Sequence, residues 1–444
     1  MAKKICMFVT NSVVRDPRVR REAGTLVKAG YQVVVVSLQA TNEKDSELID
    51  GFQVIAIKEP KLLTFRQAVL EGLQRLSPRL SRSLRILYRL LHHGSVVAVP
   101  GEPHELVIVN DQNSARSTWR QRLKKEQYVF RNLLWRNIEM ARVAIRQGAD
   151  IYHAHDLDTL LAGYLAKRRT GKPLVYDFHE LYTEQYEKGR KTWVWSWVHV
   201  MLERLLVKRV DGLLTVCDSL GQWMSQRYSS KKALTVKNVP LYEDVGRVEI
   251  TPRRERVILY HGSYSENRGL EQFVESARYL RSARVVLRGF GDMEDRLRRL
   301  VKQNGLEDKV IFSPPVPVFK LVQEASVADI GIAPFPPVCF NTRFCLPNKL
   351  FEYLMAGLAI AVTDLPEMRR IILEHDVGVL LPSLDPMGIA TTLNGLLDDS
   401  SKLDAMKRRA RHVARTIYNW EHESENLIRF YESMTVDNSF KRCA

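Results

Sequence analysis

Lys349 and Glu352 stand at i and i+3 in the stretch LPNKLFEYLMAGLAIAVTDLPEM, Leu346 to Met368. Pro347 and Asn348 open a helix there, an apolar run follows, and Gly357 ends it. A cation and a carboxylate at that spacing share one face of one helical turn. Free backbone N–H groups at a helix start also favour an anion. The pattern suits a phosphate-bearing ligand. The plainer alternative is a solvated ion pair on an ordinary helix.

Other residues could act on the same ligand. Gly262 to Gly269 is a glycine-bounded turn with Arg268 entering the next helix. Flexible backbone plus a cation suits a diphosphate, or else the segment is an ordinary strand-to-helix loop. Three strand exits carry ionisable groups: His153 to Asp156 (HAHD), Asp177 to Glu180 (DFHE), and Cys217–Asp218–Ser219. In an alternating strand His153 and His155 face the same way. That pair alone lacks a third ligand at metal-site spacing, so no metal is expected. Asn11 and Arg15 to Arg18 follow the first strand, where ligands bind in open parallel sheets. No GxxxxGK[ST] or GxSxG motif occurs, which argues against a P-loop enzyme and a serine hydrolase.

Elements of alternating type must position these groups. KKICMFVT, YQVVVVSL and GFQVIAI are continuous apolar runs, the mark of parallel strands covered on both faces. ADIYHAHD, KPLVYDFHELY, VDGLLTVCDS and ALTVKNVP continue the series, with a helix after the first and third. The stretch Tyr242 to Arg256 is polar and aperiodic and reads as a linker. A second strand–helix alternation follows from Val257, and a last helix runs from Tyr418 to Met434. The predicted architecture is α/β, with two doubly wound Rossmann-like domains facing a cleft. The expected boundaries are 1–241 and 242–417, with 418–444 crossing back to the first domain.

The chain has 444 residues, and domains of about 100–200 residues make two the natural count. Its net charge of +16 calls for an anionic partner. Much of that excess lies in a helical insert of the first domain, about 61–148. Its basic amphipathic segments either lie on an anionic membrane surface or pack on the sheet with arginines in water. Trp193, Trp195 and Trp197 suit a membrane interface or a core equally well. The scattered cysteines Cys6, Cys217, Cys339, Cys345 and Cys443 fit a reducing, cytoplasmic compartment. No apolar run approaches the roughly 20 residues that span a bilayer.

Taken together, NSVVRDPRVRREAGTLVKAGYQVVVVS, DIYHAHDLDTLLAGYLAKRRTGKPLVYDFHELY, LYHGSYSENRGLEQFVESARYL, VVLRGFGDMEDRLRRLV and PNKLFEYLMAGLAIAVTDLPEM resemble glycosyltransferase family 4. These are GT-B, retaining, metal-independent, hexosyltransferase-type enzymes. The resemblance implies a nucleotide-diphosphate sugar as co-substrate on the second domain, no other cofactor, and an acceptor on the first. It makes Glu352 the residue for the donor ribose and Arg268 the diphosphate cation. It places His155 near the donor sugar and Gly262 in the diphosphate turn. Asn348, Lys349 and Ser263 join the expected donor site, and His155, Arg268 and Lys349 the catalytic set. Asn11, Arg15, Arg18, Asp156, His179 and Glu180 form the expected acceptor side.

Two positions depart from the family pattern. A second glutamate is usual where Phe344 stands, and an arginine where Ser263 stands. The expected acceptor is a lipid-linked glycan or a cell-surface polysaccharide, met at the inner membrane face. A non-catalytic nucleotide-sugar binder of the same fold is the alternative. A nucleic-acid binder fits less well, because the basic residues ride on amphipathic helices away from the cleft.

Overall fold

The computed structural model describes residues 2–13, 16–38, 46–58, 132–184, 193–246 and 255–440. For the helix residues 193–196 and 435–440 only the backbone is described. Arg15 and most of the basic stretch 61–148 therefore lie outside the described residues.

The first sheet holds β1 (Lys4–Phe8), β2 (Gln32–Leu38), β3 (Ser46–Ile49), β4 (Phe52–Ile57), β5 (Ile151–His155), β6 (Leu174–Phe178), β7 (Gly212–Thr215) and β8 (Leu234–Thr235). Their order is β3-β4-β2-β1-β5-β6-β7-β8. All pairings are parallel except the β3–β4 hairpin. The second sheet holds β9 (Arg256–His261), β10 (Ala283–Arg288), β11 (Val310–Ser313), β12 (Ile330–Ala333), β13 (Ala359–Thr363) and β14 (Gly378–Leu381). It is wholly parallel in the order β11-β10-β9-β12-β13-β14. β5, β6, β7, β12 and β13 are buried at every position, so they carry continuous apolar runs.

Three features differ from the sequence reading. The segment 233–240 makes a strand only at Leu234–Thr235, because Lys237 leaves the sheet and gives its N–H to Glu423 Oε2 at 3.1 Å. The hairpin strand β3 and the helix Ser400–Thr416 were not anticipated. The last helix spans Trp420–Phe440 and lies on the first domain. Trp420 Nε1 donates to Thr25 Oγ1 at 2.8 Å, and Tyr431 is buried beside His153.

Of the basic stretch, the helix over 132–146 is described. Its apolar face, Leu134, Trp135, Ile138 and Ala141, is buried in the first-domain core. Asn137 fixes it there, donating to Asp158 O at 2.7 Å and accepting from Ala162 N at 2.7 Å. The apolar face of this part of the stretch packs on the domain. Trp197, by contrast, is 56% exposed.

Candidate active site

The helix Asn348–Ala356 follows Pro347, whose extended backbone cannot continue helically upstream, and stops at Gly357, where φ is +71°. Leu350, Phe351 and Leu354 fix it in the core. That seating aims Lys349 and Glu352 at the ends of β9 and β12. The two do not pair with each other, and neither is exposed, so the solvated ion pair is excluded. Lys349 Nζ stands 3.8 Å from the centroid of Tyr260 and 5.1 Å from that of Phe335. Arg268 lies over the other reach of Phe335, its Cζ 4.8 Å from the centroid. Among the described residues, no carboxylate lies within ion-pair distance of either cation.

Burial, with the Arg268 charge beside it, pushes the Lys349 ammonium down to about 7. The turn glycine Gly262 has φ +126°, and a β-carbon there would stand 3.2 Å from Lys349 Nζ. Only glycine leaves that space open with this backbone. Glu352 turns the other way. Its Oε2 lies 2.7 Å from His261 Nε2. Burial alone would raise its carboxyl, but His261, Lys349 and Arg21 outweigh burial and hold it below the usual range.

The first domain supplies a buried ionic cluster at the ends of β5 and β6. Asp177 is the register partner of His155. It accepts from Arg18 Nε and Nη2, both at 3.0 Å, and from His179 Nε2 at 2.9 Å. Arg18 Nε also lies 2.9 Å from Glu22 Oε1. Burial would raise Asp177, yet Arg18 and His179 hold it well below the usual carboxylate range. Burial likewise opposes charge on His179, but Asp156 and Asp177 keep that ring protonated. His153 goes the other way: burial and His155 push it down to about 3. Its Nδ1 is hydrogen-bonded to Tyr431 Oη.

Glu22, His153, His155 and Asp177 bring ligand atoms within 4.8 Å of one another. Folding thus supplies the carboxylates that the HAHD motif alone lacked. The rings of His153 and His155 nevertheless stack at 4.2 Å with planes only 24° apart. Imidazole lone pairs lie in their ring planes, so these run side by side instead of converging. A cation at bonding distance, about 2.0–2.1 Å for zinc to nitrogen, would require the rings to turn and Arg18 to leave.

Across the cleft, Asn341 Oδ1 accepts from Leu181 N at 2.8 Å, and its amide donates to Glu180 at 3.4 Å. Ser219 N donates to Glu367 at 2.8 Å, and Arg370 meets Asp218 at 3.0 Å.

The sequence-predicted residues therefore separate into groups. Lys349, Arg268, Gly262 and Glu352 come together. Ser263 is exposed at the same turn, with its carbonyl held by Tyr260 Oη at 2.9 Å, and Asn348 is exposed at the helix start. His155, Asp156, His179 and Glu180 gather on the facing domain. Asn11 stays at the surface, bonded to Asp16 at 2.9 Å. Arg18 departs from its expected acceptor-side place. It is 2% exposed and lies beneath the cleft as the cation of the ionic cluster. Phe344 packs against Phe340 and gives its carbonyl to Cys217 Sγ at 3.4 Å. Sequence reasoning missed His261, which a His-Gly pair at a strand exit could have flagged. It also missed Arg21, which lies over Trp420 and is electrostatically coupled to Glu352 from the opposite domain.

Known proteins share this layout. Residues 16–238 match the model of the glycosyl transferase 4-like domain, and residues 255–399 match that of glycosyl transferases group 1. The phosphatidyl-myo-inositol mannosyltransferase of Mycolicibacterium smegmatis is 26% identical over 295 residues, covering 64% of this chain and 72% of that protein. The D-inositol 3-phosphate glycosyltransferase of Thermobispora bispora is 25% identical over 312 residues, covering 64% and 70%. Among solved structures, sucrose-phosphate synthase from Thermosynechococcus elongatus superposes with a TM-score of 0.67 at 15% identity, covering 98% of this chain and all (100%) of that one. HepE from Anabaena, solved with UDP-glucose, gives 0.65 at 12% identity over 97% and 99%. At such identities the structural likeness establishes the fold, and the two matched domain models, which together span most of the chain, establish the family. The chain belongs to the group 1 glycosyl transferases and is a GT-B, hexosyltransferase-type glycosyltransferase.

Proposed function

We propose that the protein moves a sugar from a nucleotide-diphosphate sugar to a glycan or lipid-linked acceptor, with retention and without a metal ion. The observation that carries this reading is the pair Lys349 and Arg268, two cations over one phenylalanine ring with no carboxylate partner among the described residues. A desolvated Lys349 ammonium, kept without a carboxylate partner and beside a second cation, is costly in the free protein, and a bound diphosphate offsets that cost. HepE, of the same fold, was solved with UDP-glucose, which supports a nucleotide-sugar donor.

In this reading Glu352 accepts from the donor ribose hydroxyls. Lys349, Arg268 and the N–H groups at the start of helix Asn348–Ala356 meet the charge that grows on the diphosphate as the sugar–phosphate bond breaks. The acceptor hydroxyl attacks from the face the phosphate leaves, and its proton passes to the departing phosphate oxygen. His155, at the end of β5, is the first-domain residue placed near the donor sugar, and the buried ionic cluster beneath it fixes its ring. Closure of the domains excludes water. The acceptor is taken from the cytoplasmic face of a membrane, where exposed Trp197 and Leu205 on the helix Trp193–Val207 sit near the basic residues Arg204, Lys208 and Arg209.

A thermal-shift screen of nucleoside diphosphates and nucleotide sugars tests the donor assignment. A ligand at about 100 times its Kd adds about 2.7 kcal/mol to the native state. No shift with any of them removes the assignment.

A further inference from the structure

His261 ends β9 one residue before the turn glycine Gly262 and is 2% exposed. One backbone contact and two ring contacts fix the residue. Its backbone N–H donates to Tyr353 Oη at 3.1 Å. The imidazole lies against the Tyr353 ring at a centroid distance of 4.7 Å. Its Nε2 reaches Glu352 Oε2 at 2.7 Å. Tyr353 is itself anchored, since its hydroxyl also donates to Ile332 O at 3.3 Å. The ring can lie there because β12 carries Gly331, where any β-carbon would stand 2.3 Å from it. Both ring nitrogens are buried; Nδ1 has no polar partner among the described residues, and the 2.7 Å approach of Nε2 to Glu352 is a close contact lying off the ideal hydrogen-bond direction. Among the described residues, Glu352 is the one charged side chain within ion-pair distance of the imidazole.

A glutamate has several side-chain torsions, and ordering them on binding weakens a ligand. A carboxylate held beforehand by a rigid neighbour avoids that loss. We infer that His261 is a positioning residue for the donor site: it holds Glu352 in the orientation that receives the ribose hydroxyls. The inference rests on the assignment of Glu352 to the ribose. It extends that assignment by naming the group that sets the carboxylate, and by making preference for a hydroxylated ribose a property of the pair.

The test compares UDP, or GDP where UDP gives no heat, with its 2′,3′-dideoxy analogue by isothermal titration of the full chain. The wild type is expected to favour the hydroxylated nucleotide at least tenfold. His261→Phe keeps the ring against Tyr353 but has no nitrogen for Glu352. It should lose that preference at least fivefold while binding the dideoxy analogue as the wild type does. His261→Gln, whose amide can replace Nε2, should restore most of it. His261→Asn, smaller and too short to reach Glu352, makes the same test where the phenylalanine variant does not fold. Retained preference in the phenylalanine or asparagine variant overturns the inference. Equal weakening of both nucleotides also overturns it, because a merely structural role does that. Retained preference in Glu352→Gln is a separate result: it removes Glu352 from the ribose, and the inference with it.

Discussion

Lys349 Nζ stands 3.8 Å from the centroid of Tyr260, and Tyr260 belongs to the strand that runs into the turn glycine Gly262. The ring face attracts the ammonium, but the same packing removes water from it. Burial wins, with Arg268 adding to it, and brings Lys349 down to about 7.

A titratable cation at a diphosphate site makes affinity depend on pH. The bound anion favours the charged ammonium, so binding raises its pKa. Affinity is therefore full below about pH 7 and falls as pH rises through the free-state value. The limiting slope is tenfold per pH unit. A nucleotide sugar, whose diphosphate has no group titrating near neutrality, is the right titrant. Calorimetry in buffers of different ionisation enthalpy should show proton uptake at pH 8 and little at pH 6. Lys349→Arg should flatten the profile, because guanidinium stays charged. A flat wild-type profile from pH 6 to 9 would place the lysine outside the diphosphate site.

Arg268→Ala and Glu352→Ala should each lower turnover at least tenfold, about 1.4 kcal/mol of transition-state stabilisation. They should differ in kind. Arg268 meets charge that grows as the bond breaks, so its loss falls mainly on kcat. Glu352 binds a part of the donor that does not react, so its loss falls mainly on KM. Steady-state kinetics with the donor found by thermal shift separates the two. Near-normal activity in both variants would remove the donor-site assignment.

The fold was legible because parallel strands leave an unambiguous trace. YQVVVVSL and AIAVT have no polar alternation, and β2 and β13 are covered on both faces. That Lys349, Arg268 and Gly262 stand together follows from the same strand-exit logic, since the helix Asn348–Ala356 and the turn after β9 meet at one edge of the second sheet. His261 left only a faint trace, a histidine directly before the turn glycine. A histidine closing an apolar strand reads as core until the fold lays the helix Asn348–Ala356 across the end of β9. Arg18 was misplaced for a related reason. It sits near the first strand exit in sequence, but its fate is set by Asp177, brought opposite by the β5–β6 pairing. β8 was overcalled because nothing in ALTVKNVP announces that Lys237 will bond to the C-terminal helix.

Arg18 makes a stability prediction. Its guanidinium serves Asp177 and Glu22 where water cannot. Arg18→Met removes one partner and leaves two buried carboxylates, which should cost about 3–5 kcal/mol. The loss should depend on pH with a definite sign. Asp177 is depressed in the folded state, so its contribution is present above the unfolded pKa of about 3.9 and fades as pH falls through the folded value. Arg18→Met lacks most of that contribution. Without the cation, burial raises both carboxyls in the folded variant, so its deficit in urea unfolding should be large at pH 7 and narrow toward pH 4, where they protonate. An equal deficit at both pH values would mean that lost packing, not lost charge, accounts for the effect.

Gly331 tests whether the donor site is set by packing beneath it. A β-carbon there would stand 2.3 Å from Tyr353 Cγ, inside any real contact distance. The Tyr353 ring must then shift, and it carries the ring of His261 and one of its backbone bonds. Gly331→Ala should cost about 1–3 kcal/mol by overpacking. It should also weaken donor binding, although residue 331 is too deep to touch a ligand. Gly395 is the matched control, since it is exposed in the helix Pro386–Leu397 and a β-carbon there meets nothing within 4 Å. Gly395→Ala should be neutral or stabilising by up to about 1 kcal/mol through helix propensity, with donor binding unchanged. Melting temperature and donor Kd, measured on both variants, decide the matter. If Gly331→Ala loses stability but keeps full donor affinity, the path from β12 through Tyr353 to His261 does not set the site.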